Sequence, residues 1–305
     1  MAAAKGQQRA SVWKLGGLTP WQLAAKVLYG INEDDLFGRA SELAFNSLLA
    51  LFPLLFFMLV LFGLFASRSS ELQNSLLSLF AYFLPPSAFQ LLNGITIELA
   101  RNAPGRKLTF GIVLALWFGS GGMSSMISTL NAAYRVQESR SWIRIRLTAL
   151  GLTIAISVFL FISLFILLVG GSVVDWTAGL IHLGSAIVVL WKCLQWLAAV
   201  VFVTLSFSMI YYCGPSLGKR HWDWITPGST FGAFLWLIAS LGFRIYLHFF
   251  NTYTATYGSL GAVMILLVWL YVAGLAFLVG GKINAEIESA ASKITAGETE
   301  QASPD

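Results

Sequence analysis

LTALGLTIAISVFLFISLFILLVG, residues 147–170, decides the fold, because it runs through an uninterrupted apolar stretch without one charged side chain. A helix needs about 20 such residues, rising about 1.5 Å each, to cross the hydrocarbon core of a bilayer. Barrel strands would instead alternate over about 10 residues, and no such alternation is present. Outward from this stretch, five further segments pass the same test, at 42–66, 109–131, 186–212, 226–249 and 260–283. The pattern predicts an all-α polytopic membrane protein, a bundle of six transmembrane helices. Composition points the same way: the 305 residues are 57% hydrophobic and 11% charged, too few charges to coat a water-soluble core of this size.

The few charges are unevenly placed. Outside the spans or near their ends, thirteen Lys and Arg fall before the first, in the second and fourth connections and at or after the end of the sixth, against five on the other side, Lys192 near the start of the fourth span included. The positive-inside rule therefore predicts both termini in the cytoplasm. The densest basic cluster is Arg135, Arg140, Arg144 and Arg146. With no aromatic stacking platform or RNA-binding module beside it, its expected partner is an anionic lipid headgroup and not nucleic acid. The formal charge of +5 is thus read as topology.

Residues 1–39 lack the apolar core and cleavage site of a secretory signal and are read as a cytoplasmic segment. Leu23, Val27 and Leu28, with Trp21 nearby, predict a short amphipathic helix on the membrane surface, ahead of the acidic turn Glu33, Asp34, Asp35. The long first connection carries Leu72, Leu76, Leu79, Phe80 and Phe83, then Phe89, Leu92, Ile95 and Leu99 after Pro85-Pro86, which predicts two short external amphipathic helices. The transmembrane domain is set at 40–288. Residues 289–305 have no apolar period and are read as a disordered cytoplasmic tail.

Polar groups within the spans are the candidate pathway or polar packing positions, since each costs free energy unless paired, snorkelled or wet. Span one has Glu42 and Asn46, then Pro53, which invites a kink. Glu42 lies near the helix start, where snorkelling relieves a penalty of about 2.5–3.5 kcal/mol at mid-membrane. Asn46 lies deeper and is expected to bond a neighbouring helix. In span two, Gly119, Ser120, Gly121, Gly122, Ser124 and Ser125 fit a close-packed seam or an unwound binding segment, and Asn131 closes the span. Gly228 and Gly232 form a small-residue pair at the start of span five, and Arg244 with His248 shares a face near its far end. Tyr257 and Gly258 precede span six, which ends in Lys282, Asn284 and Glu286, with an i,i+4 ion pair expected between Lys282 and Glu286.

No catalytic, cofactor or metal residues are assigned. Cys193 and Cys213 have no second ligand at metal spacing, and His182, His221 and His248 are far apart without paired carboxylates. No phosphate-binding loop is present, so active transport would draw on an ion gradient or a separate ATPase.

Several motifs then stand out together: ELAFNSLLALFP at 42–53, WFGSGGMSSMISTLNAAYRVQESRSW at 117–142, GPS at 214–216, TPG at 226–228, TYGSLGAV at 256–263 and INAEIE at 283–288. Through them, from about residue 23 to 288, the chain resembles the YihY/BrkB membrane-protein family, historically labelled ribonuclease BN. The resemblance implies a six-helix bacterial inner-membrane protein with a link to envelope resistance. The ribonuclease label has no hydrolytic centre to match it here. Glu42 and Arg244 stand where the family has small or small polar residues, and Gly281-Lys282 where it has alanine and glutamate. Lys282 thus reverses a charge, which Glu42 is expected to balance across the bundle. Two functions follow: transport or translocation of an amphiphilic or anionic envelope component, or scaffolding without transport. A continuous cavity reaching Asn46, Ser120 and Arg244 would favour the first, and a tightly packed bundle the second.

Overall fold

A computed structural model describes residues 12–50, 105–181, 185–218, 223–249 and 259–301. Among the described residues, a 3₁₀ turn at Val12–Gly17 is followed by seven helices: α1 (Pro20–Glu33), α2 (36–50), α3 (Gly105–Ala133), α4 (Trp142–Ile181), α5 (Ser185–Cys213), α6 (Pro227–Phe249) and α7 (Ser259–Gln301). No strand occurs among the described residues. Among the described residues, four helices contain stretches long and apolar enough to cross a membrane: Trp142–Leu167, Val188–Cys213, Pro227–Leu247 and Val263–Ile294. These match four of the six expected spans. The expected second span lies within α3, whose 29 residues give it membrane-crossing length. The first is described only to residue 50, so Pro53 and the two external amphipathic helices lie outside the described residues.

The apolar groups point outward as much as inward. Val189, Leu190, Trp196, Leu197, Phe234 and Leu241 are all more than half exposed, whereas buried positions on the same helices include Ser206, Ser208, Gln195 and Ser229. An apolar shell over a core that tolerates hydroxyls is stable only where the surrounding solvent is itself apolar, which is the bilayer. The chain is a multi-pass helical membrane protein.

The common core joins Leu36, Ala40 and Leu43 of α2, Met123, Ile127 and Leu130 of α3, Ala149 and Leu152 of α4, Ile210 and Tyr211 of α5, and Phe277 and Leu278 of α7. Alpha-7 is central and packs most extensively on α6. That contact is made by glycine. A Cβ at Gly280 would lie 2.9 Å from the Cα of Gly232 and 2.6 Å from the carbonyl oxygen of Gly228, so the two backbones meet directly. Tyr211 closes the crossing, its hydroxyl donating to the Phe277 carbonyl at 2.6 Å.

Two expectations near the termini are corrected. Alpha-1 starts as a capped helix, with Thr19 and Gln22 bonding reciprocally in a capping box. Its Leu23 and Val27 pack on Ile283 and Ile287 of α7, while Leu28 is exposed beside Trp21 on the other side. Leu23 and Val27 are four apart and share a face, and Leu28 is turned away from it. At the other end, α7 continues to Gln301, so 289–301 is helical where a disordered tail was expected. Three alanines and a lysine in SAASKITA favour helix, and Ala290 is buried beneath Gly16, whose φ of 59° and missing Cβ let the amino-terminal turn cross α7.

Candidate functional site

One end of the bundle carries a polar collar assembled from helix ends. Asp34 follows α1 in a tight turn closed by Asp35, which has a φ of 50° and a carboxylate accepting from the Gly38 amide. From this turn Asp34 meets Lys282, whose ammonium lies 2.7 Å from its carboxylate and 2.8 Å from Glu286 and donates to the Ala133 carbonyl at the end of α3. Lys282 is 1% exposed. Its stem crosses Gly30, where a Cβ would collide with it. Arg135 adds pairs to Asp34 and Glu33. Three acids thus surround two bases, and the hydrogen bond to Asp34 raises the Arg135 pKa further. The i,i+4 pair of Lys282 and Glu286 is present, but Glu42 is exposed and takes no part; Asp34 balances the reversed charge instead.

A second cluster ties the α3–α4 connection to the end of α5. Asn131 donates to Glu138 at 2.8 Å and accepts from the Ser216 amide at 2.7 Å. Arg140 pairs with Glu138 at 2.8 Å and donates to the carbonyls of Cys213 and Gly214. Ser139 and Ser216 share a hydroxyl contact at 2.9 Å. The hydrogen bond from Arg140 is the main cause that lowers the Glu138 pKa to about 2. On α7, Asn284 accepts from the Gly228 amide at 2.9 Å and donates to the Thr226 hydroxyl, tying down the TPG start of α6. The motifs GPS, TPG and INAEIE, separated in sequence, thus meet the 131–140 segment and the helix ends as interlocking ties.

Above the collar, a cavity of about 330 Å³ opens among α2, α3, α4, α5, α6 and α7. Its walls are mostly apolar, from Leu43 and Met123 to Trp236, Trp269 and Phe277. Among the described residues, its hydroxyls come from Ser47, Thr153, Ser157 and Ser206. Two of these are already partly satisfied: Thr153 donates to Ala149 O, and Ser206 to Phe202 O.

The other sequence candidates take definite places. Asn46 donates to Ser125 at 2.9 Å, joining α2 to α3, and its neighbour Ser47 lines the cavity. Alpha-3 runs as a continuous helix through 118–126, so that segment is not unwound. Ser120 is fully buried and donates to Trp117 O, Ser124 donates to Ser120 O, and Gly122 faces Ala50 closely enough that a Cβ would stand 2.7 Å from it. Gly121 lies beside Arg146 and is partly buried. The cavity reaches Gly119 and Gly122, but Ser120 and Asn46 are not in its wall, and Arg244 is exposed on α6 away from it. His248 belongs to α6 through its backbone, and Tyr257 and Gly258 lie outside the described residues. Asp34 was missed as a partner of Lys282; its only signal was the acidic turn at 33–35.

Among the described residues, no three His, Cys, Asp or Glu groups gather as they would to hold a metal ion. Cys193 and Cys213 are not joined in a disulfide.

Geometry and composition together define a multi-pass helical membrane protein with an apolar central cavity and a charged collar. The chain belongs to the BrkB family: the family model described as virulence factor BrkB matches residues 27–304. It is 33% identical over 257 residues to the ribonuclease-like protein YfkH of Bacillus subtilis, covering 84% of this chain and 91% of that one. A UPF0761 membrane protein of Photobacterium profundum is 28% identical over 264 residues, covering 84% and 78%. Another from Tolumonas auensis is 26% identical over 263 residues, covering 83% and 81%. No solved structure matches. The family description names no reaction, and the ribonuclease wording belongs to the name of the Bacillus relative.

Proposed function

We propose that this chain spans the inner membrane six times, with both ends in the cytoplasm, and moves an amphiphilic envelope component through its central cavity. The observation that carries the reading is the cavity itself, although it passes Gly119 and Gly122 and does not reach the expected Asn46, Ser120 and Arg244. Its volume of about 330 Å³ falls within the range of about 300–1,000 Å³ usual for small-molecule sites. Its apolar walls suit an acyl or prenyl chain, and the scattered hydroxyls of Ser47, Thr153, Ser157 and Ser206 suit a passing polar group better than a fixed ion. The orientation rests on the Lys and Arg imbalance.

Reconstitution into liposomes containing fluorescent phospholipids and prenyl phosphates tests it. Protein-dependent movement between leaflets is expected, and Ser157→Trp, which fills the cavity, should reduce it at least about tenfold while the protein stays folded. No movement across the panel, with the wild-type protein folded, would sink the reading. That outcome would favour scaffolding, a reading supported by the interlocking hydrogen bonds that hold the motif segments together.

A further inference from the structure

The hydroxyls in the cavity wall are not equivalent. A serine or threonine inside a helix can donate to the carbonyl four residues back, which satisfies its proton without help from another helix. Ser124, Thr129, Thr153, Thr204 and Ser206 all do so. Ser157 does not. It stands one turn after Thr153 on the same face of α4 and is only 2% exposed, yet it has no hydrogen-bond partner among the described residues. Its hydroxyl is not sealed in by packing, as that of Ser240 is; it opens onto the cavity whose wall it forms with Ile156 and Leu160. Ser157 is thus a buried donor aimed at empty space.

The surroundings restrict what can meet it. No charged side chain lines the cavity among the described residues, and the protons of Thr153 and Ser206 are already engaged. Ser157 also lies well inside the Trp142–Leu167 span, where the apolar wall offers it no acceptor. A hydroxyl left unpaired in such a place is destabilising, and a ligand that presents an acceptor relieves that cost. A pure hydrocarbon or prenyl chain would fill the wall and leave the hydroxyl unmet. A chain joined to a carbonyl would satisfy both, and the carbonyl, stripped of water on entry, would regain a donor.

We propose that Ser157 is the group by which the cavity selects an acyl chain attached through a carbonyl, an ester or an amide, over a prenyl or alkyl-ether chain. Its hydroxyl donates to the carbonyl oxygen while the apolar wall takes the chain. The selection rests on the cavity being a lipid site, as the translocation reading also requires, but it concerns binding and not movement.

Full-length protein in maltoside detergent is titrated with radiolabelled 1-palmitoyl-lysophosphatidylcholine and with its 1-hexadecyl ether analogue, which lacks the carbonyl oxygen, and the saturable component is compared. The ester should bind about fivefold more tightly, the effect of one neutral hydrogen bond. Ser157→Ala, which barely changes the side-chain volume, should bring the ester down to the affinity of the ether and leave the ether unchanged. Thr153→Val, whose lost hydroxyl was already bonded, and Ser240→Ala, outside the cavity wall, should both keep the preference. Equal binding of the two lipids by the wild-type protein, or a folded Ser157→Ala protein that still prefers the ester, overturns the selection while leaving the cavity a chain site. Should Ser157→Ala fail to fold, the wild-type comparison decides by itself. Saturable binding of neither lipid overturns the selection and the cavity reading together, whereas movement between leaflets without any ester preference overturns the selection alone.

Discussion

Lys282 shows how a single buried charge organises a helix end. Its ammonium is surrounded by Asp34, Glu286 and the Ala133 carbonyl, so removing it leaves Asp34, whose side chain is only 8% exposed, with Arg135 as its one remaining ion-pair partner among the described residues. Lys282→Ala should destabilise the protein by about 1–3 kcal/mol, less than the cost of a fully orphaned buried charge, read as a lower melting temperature in detergent. Gly30→Ala should be harmful only while the lysine stem occupies its place; in the Lys282→Ala background the effect should shrink, and additive losses would refute the contact. Glu138 gives a pH signature. Its folded pKa of about 2 is below its ordinary value of 4.5, so its contribution is present above 4.5 and lost as pH falls toward 2. Melting temperature should drop across that window in the wild type, and Glu138→Gln should remove the part of the drop due to this group.

At the scale of elements, the glycines of α6 and α7 separate packing from propensity. Gly280→Ala would press a methyl group onto Tyr211 and the Gly228 backbone, and should cost about 1–3 kcal/mol or more, because neither neighbour can retreat without parting the helices. Gly151→Ala on α4, with open space around the added methyl, should be neutral or stabilise by up to about 1 kcal/mol. Thermal unfolding of the two variants side by side checks the contrast. Four spans, the Gly228–Gly232 seam and the helical start at Pro227 were legible because each is a local property of composition and spacing. The extension of α7 to Gln301 was not, since it depends partly on Gly16 and α1 lying against it. Leu28 was misplaced because its neighbours Leu23 and Val27 define a face that only contact with α7 selects.

For the whole molecule, orientation remains the most direct prediction. Reporter fusions after Asp305 and before Met1 should both be active in the cytoplasm, and a carboxy-terminal fusion active only outside would reverse the proposed topology. The sequence by itself determined that the chain is helical and lives in a bilayer, because the hydropathy of a segment is a sum over neighbouring residues and needs no knowledge of the rest. It also marked most of the polar positions that the structure uses. Only the tertiary structure decided what they do: that Asp34 and not Glu42 meets Lys282, that Asn46 ties to Ser125, that Asn284 holds the TPG turn, and that Arg146 rests on Trp117. Those pairings join residues far apart along the chain, and a charge or amide buried at a helix end takes whichever partner packing brings within reach.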